Sequence, residues 1–67
     1  MHGMEALKQW LELTERNQSW LADELGVSRA AVSLWLSGQS EPSVDNYRAL
    51  HALTNLPYEK LLERIAA

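Results

Sequence analysis

Apolar residues recur along this chain at helical spacing, and the breaks between runs fall at Gly3, Gly26, Gly38, Pro42 and Pro57. The first run predicts a helix over residues 4–16, with Met4, Leu7, Leu11 and Thr14 on one stripe and Trp10 beside it. A second, short helix is expected over residues 18–25, burying Leu21 and Leu25. Asn17 suits its N-cap, because a short side-chain carbonyl can accept a free amide of the first turn. Gly26 can take positive φ, which a tight helix exit requires. Ser28 is a favoured cap for a third helix, which runs through Leu36 and stops near Gly38. A fourth follows Glu41, Pro42 and the cap Ser43, with Val44, Tyr47 and Leu50 facing inward, and Asn55 ends it as a left-handed residue. Pro57 opens a fifth helix carrying Tyr58, Leu61, Leu62 and Ile65, since proline is tolerated in a first turn. The expectation is an all-α fold of five short helices in a single compact domain spanning residues 1–67, without internal repeat, linker or low-complexity segment.

Residues 18–37 are the most informative. Two helices crossing steeply through a three-residue turn can approach only if the contact residue on the first is small, and Ala22 is that residue. Gly26 supplies the turn, Val27 plugs the gap, and Val32 with Trp35 seal the underside of the third helix. The opposite face of that helix then presents Arg29, Ala30, Ser33, Leu34 and Ser37 outward. Such a protruding helix fits the major groove of B-DNA, about 12 Å wide.

Composition narrows the function classes. In 67 residues the hydrophobic share is 46%, ordinary for a globular chain. The absence of cysteine excludes disulfides and thiolate zinc sites, and His2 and His51 are too few for a histidine-built zinc centre. No apolar run reaches the roughly 20 residues that span a bilayer, and the N-terminus has no signal-peptide pattern, so a cytoplasmic protein is expected. Three isolated glycines make neither a dinucleotide fingerprint nor a P-loop. Glu12, Glu15, Asp23 and Glu24 read as solvated carboxylates, and no nucleophile has a base placed beside it. The expectation is therefore a non-enzyme without cofactor, metal or small-molecule ligand.

Charge pulls the other way. Six basic against nine acidic residues give a net charge of −3, whereas DNA-binding domains are usually basic. Distribution tempers the sum, since no acidic residue stands between Glu24 and Glu41, a stretch that contains Arg29.

The spacing of Gln18, Ala22, Gly26, Val32 and Trp35 resembles that of the Cro and λ-repressor-like (XRE-type) helix-turn-helix family. The resemblance continues through Leu36, Ser37 and Gly38, then Pro42 and Ser43, to Leu61 and Leu62, covering residues 5–63. It implies a λ-repressor-like DNA-binding domain of bacterial or phage origin that regulates transcription, as a repressor, by reading a palindromic operator as a homodimer. By the same resemblance Gln18 holds a backbone phosphate, while Arg29, Ala30 and Leu34 read base edges. Ser33 lies between them. Ser37, Gln39, Ser43 and Asn46 clamp the phosphate strand, and the capping residues Asn17 and Ser28 join that set. Chemistry agrees: arginine bonds guanine O6 and N7, alanine and leucine meet the thymine methyl, and neutral polar groups position the domain on phosphates. Because those phosphate partners are uncharged, binding should depend only weakly on salt. The resemblance places dimer contacts near the C-terminus. There Tyr58, Leu61 and Ile65 are expected to serve the core, leaving Leu62 for a twin.

This chain departs from the family pattern at Leu34 and Leu36, where polar or charged residues are common, at Leu11, where arginine is frequent, and at His51, where a small residue is usual. His51 reads as a partly buried structural histidine. Trp20 stands where polar residues are usual, and either packs across the first helix or contacts a partner. Together with Leu34, Leu36 and the acidic balance, it supports an alternative reading: a protein-binding helix-turn-helix module of antirepressor, antitoxin or adaptor type.

Overall fold

A computed structural model describes residues 3–62. Five helices follow one another in this region: α1 (Glu5–Leu13), α2 (Gln18–Leu25), α3 (Arg29–Ser37), α4 (Val44–Thr54) and α5 (Tyr58–Leu62). They surround one core of Met4, Leu7, Leu11, Leu21, Ala22, Val32, Trp35, Leu36, Leu50 and Leu61. The fold is all-α.

Local chemistry sets the helix starts. The Trp20 amide donates to Asn17 Oδ1 at 2.9 Å, the Ala31 amide to Ser28 Oγ at 3.1 Å and the Asn46 amide to Ser43 Oγ at 3.2 Å. Each cap satisfies one of the amides that a helix start leaves without an intrahelical partner. The ends of α2 and α3 are equally regular. After α2, Gly26 takes φ 70°, its amide donates to the Asp23 carbonyl at 3.3 Å, and the Val27 amide donates to the Ala22 carbonyl at 3.0 Å. This pair of bonds is a Schellman motif. The same pattern closes α3, where Gly38 takes φ 84° and the Gln39 amide reaches the Leu34 carbonyl at 2.9 Å.

The first helix is shorter than its apolar spacing predicts. It ends at Leu13, not near Arg16. Glu15 adopts φ 57°, the Glu15 amide donates to the Glu12 carbonyl at 3.1 Å, and the Arg16 amide donates to the Leu11 carbonyl at 2.9 Å. A glutamate thus takes the left-handed position that glycine usually fills. Thr14 is exposed and off the expected stripe, because its hydroxyl donates back to the Trp10 carbonyl at 2.8 Å and helps close the helix. At the head of this helix Gly3 lies against the end of α3, where a Cβ on Gly3 would collide with the Leu36 carbonyl oxygen.

Three further expectations are corrected. Val44 faces solvent at 68% exposure. It is the first residue of α4, ahead of the inward Leu50, and the buried Pro42 lies just before the turn that starts this helix. Leu25 is only half-buried, at the last turn of α2. Tyr58 is 43% exposed, since its ring stacks on His51 with centroids 4.5 Å apart and leaves the core position of α5 to Leu61. Ile65 lies outside the described residues.

His51 is half-buried and structural in its contacts. Its Nδ1–H donates to the Leu56 carbonyl at 2.7 Å, the carbonyl being able only to accept. Buried Thr54 donates to the Leu50 carbonyl at 2.7 Å and accepts from the Leu56 amide at 3.2 Å. Together they fix the turn from α4 into α5 around Asn55, which takes φ 64°.

Candidate nucleic-acid interface

The pair α2 and α3 packs more extensively than any other pair of helices. Ala22 is buried at the crossing, Val27 packs against the core from the turn, and Val32 and Trp35 turn inward. Burying that stripe forces the remaining positions of α3 outward. Arg29, Ala30, Ser33 and Leu34 are exposed, and Ser37 is half-buried. Leu36 is not on this face: it is 6% exposed and belongs to the core, reaching the surface only at the floor of the groove between α1 and α3. The apolar character that the sequence placed on α3 therefore reduces, on the outer face, to Leu34 and Ala30.

The capping residues combine two chemistries. Asn17, Ser28 and Ser43 use an oxygen to accept a backbone amide, which leaves the Asn17 NH2 and both serine O–H groups as donors. Phosphate oxygen only accepts, so the groups that cap the helices can also meet phosphate. Ser37 differs. Its hydroxyl donates to the Leu34 carbonyl at 3.1 Å and must turn away from it to meet a phosphate.

A groove runs between α1, the start of α2 and α3. It brings together Asn17, Gln18, Ser33 and Ser37 from the sequence-derived set. Gln39, Ser43 and Asn46 lie beyond it, on the loop after α3 and the first turn of α4, and Ser28, Arg29, Ala30 and Leu34 line the head and outer face of α3. The groove also holds three charged residues that the sequence reading did not assign to the site: Lys8, Glu12 and Arg16. Lys8 lies 3.7 Å from Glu5, an exposed pair of little energetic weight. Arg16 places its guanidinium over the Trp20 ring at 4.3 Å and within 5.5 Å of Trp10. Its position directly before Asn17 and Gln18 was the available signal. The stack that holds it is tertiary and left no mark in the sequence.

Trp20 is thereby placed. It packs across α1, with its ring centroid 5.9 Å from that of Trp10 and the planes inclined by 31°. Among the described residues no three His, Cys, Asp or Glu side chains gather as a metal site, and no helix is long and apolar enough to cross a membrane.

A short helix exposed over an alanine-mediated crossing, flanked by amide caps and neutral donors, defines a helix-turn-helix protein. The helix-turn-helix family model matches residues 7–61, and the chain belongs to the Cro-like, XRE-type helix-turn-helix family of DNA-binding regulators. No curated protein and no solved structure gave a significant match.

Proposed function

We propose that this protein is a transcriptional repressor whose helix-turn-helix domain reads the major groove of a palindromic operator as a homodimer. The observation that carries the reading is the outer face of α3. Arg29, Ala30, Ser33 and Leu34 are exposed together on a helix whose flanks hold no carboxylate between Glu24 and Glu41. Arg29 reads guanine through two hydrogen bonds, Ala30 and Leu34 meet thymine methyls, and Ser33 reaches a base or a phosphate. Asn17, Gln18, Ser28, Ser37, Gln39, Ser43 and Asn46 set the register on the backbone. One helix reads only a few base pairs, so two-fold pairing supplies the remaining specificity, with half-sites about 34–36 Å apart. Leu62, 55% exposed on α5, is the contact for the twin.

The rival reading as a protein-docking module loses two of its supports, since Leu36 is buried and Trp20 is engaged by Trp10 and Arg16. The deciding experiment is selection from a random duplex pool at low salt. A two-fold symmetric consensus containing a guanine in each half is the expected result. Recovery of no consensus after repeated rounds would count against operator reading.

A further inference from the structure

We infer that Arg16, clamped on the Trp20–Trp10 shelf, is the charged DNA-phosphate contact of this domain, and that Trp20 is the residue that positions it. The inference rests on the DNA-binding reading and deepens it. Among the residues set out above for the phosphate strand, none is charged, which leaves an acidic protein without a cation to meet the backbone. The groove beside Gln18 contains two, Lys8 and Arg16.

Arg16 is fixed twice over. Its amide is tied to the Leu11 carbonyl at 2.9 Å, between the left-handed Glu15 and the cap Asn17. Its guanidinium lies 4.3 Å from the centre of the Trp20 ring and 5.5 Å from that of Trp10, both within the roughly 6 Å reach of a cation–π contact. A guanidinium held over a ring by cation–π attraction does not need its N–H donors for that contact, and those donors match phosphate oxygens in bidentate fashion. No carboxylate among the described residues forms an ion pair with Arg16. Lys8, the other cation of the groove, faces Glu5 at 3.7 Å, and Glu12 lines the groove as well, so Arg16 is the positive charge there not tied into an ion pair. The donors of Asn17 and Gln18 adjoin it in sequence and line the same groove. A long side chain that is immobilised before binding loses less entropy on contact than a free one. Trp20 thereby converts a flexible surface arginine into a fixed anion contact.

The test uses a mixed-sequence DNA duplex as probe, so it does not depend on knowing the operator. Affinity is measured between about 50 and 200 mM salt for the parent, Arg16→Gln, Arg16→Lys, Trp20→Phe and Trp20→Leu, each with its helicity and melting checked. Each phosphate neutralised contributes about −0.9 to the slope of log K against log salt. Arg16→Gln is expected to make the slope shallower by about 0.9 per bound protomer. Arg16→Lys retains the slope, Trp20→Phe retains both slope and affinity, and Trp20→Leu weakens binding several-fold. A parental slope in Arg16→Gln, with binding intact, overturns the inference and leaves the DNA-binding reading standing. Equal loss of affinity in Arg16→Gln and Arg16→Lys at unchanged slope also overturns it, because the arginine would then only support the fold. A parent that binds no duplex at any salt overturns both readings.

Discussion

Arg29 opens α3 on its exposed side and carries a cation where a helix start mildly disfavours one, by typically 0.3–1 kcal/mol. A nearby DNA phosphate or a guanine edge would offset that cost. If Arg29 reads guanine, Arg29→Ala should weaken operator binding by roughly 1–3 kcal/mol and relax the preference at one base pair per half-site. Competition binding against operators substituted at each position measures both effects. Unchanged affinity and unchanged preference would remove Arg29 from the reading set. The serines around it divide by what their single proton does. Ser28 and Ser43 accept as caps and keep the proton for a phosphate, whereas Ser37 spends it on the Leu34 carbonyl. Alanine at Ser28 would therefore be expected to combine a stability loss with a binding loss.

The C-terminal ends of α1 to α4 follow one scheme with one irregular member. Gly26, Gly38 and Asn55 take left-handed conformations that glycine, lacking a Cβ, and asparagine, with its short polar side chain, adopt readily, but Glu15 does so with a long side chain. Relieving that strain with glycine is partly offset by the greater freedom of glycine in the unfolded chain. Glu15→Gly should still stabilise the fold by about 1 kcal/mol, a rise in melting temperature of about 4–8 °C for a domain of this size. Thermal and denaturant unfolding measure it, and a lowered midpoint would mean that the Glu15 side chain contributes more than its strain costs. This helix end also marks the limit of what the sequence reveals. Asn17, Ser28, Ser43, Gly26, Gly38 and Asn55 could be placed from their identities, because capping is a local transaction between a side chain and a neighbouring amide or carbonyl. A glutamate in the glycine position gives no such sign, so α1 read too long. Val44 misled for a related reason: periodicity alone does not say where a helix leaves the core, and here the first residues of α4, Val44 and Asp45, lie outside it. On the candidate interface, the outward positions of α3 were legible because the helix-turn-helix crossing dictates its inward stripe. The place of Arg16 was not, since it depends on two tryptophans from different helices.

Across the whole molecule, charge and apolar exposure set the terms for association. With a net charge of −3 and a single set of cations near the candidate interface, DNA binding should be less salt-dependent than that of a basic domain of this size. Leu62 is the most exposed aliphatic residue among the described residues of α5, while Leu61 is fully buried. If it contacts a twin, Leu62→Glu should preserve the helical circular dichroism signal and abolish cooperative occupation of the two half-sites, as read from titrations of full and half operators. Tight, cooperative binding of a full palindrome by that variant would place the dimer contact elsewhere. The three tryptophans carry a separate consequence. Trp35 is 4% exposed in the core, whereas Trp10 and Trp20 form a half-buried pair beside the groove. Their emission is thus divided between a reporter of the interior and a reporter of the surface. Quenching by a dissolved anion would reach the surface pair first, and melting would expose the third. Without any attached dye, the intrinsic light of this chain can distinguish occupation of the groove from loss of the fold.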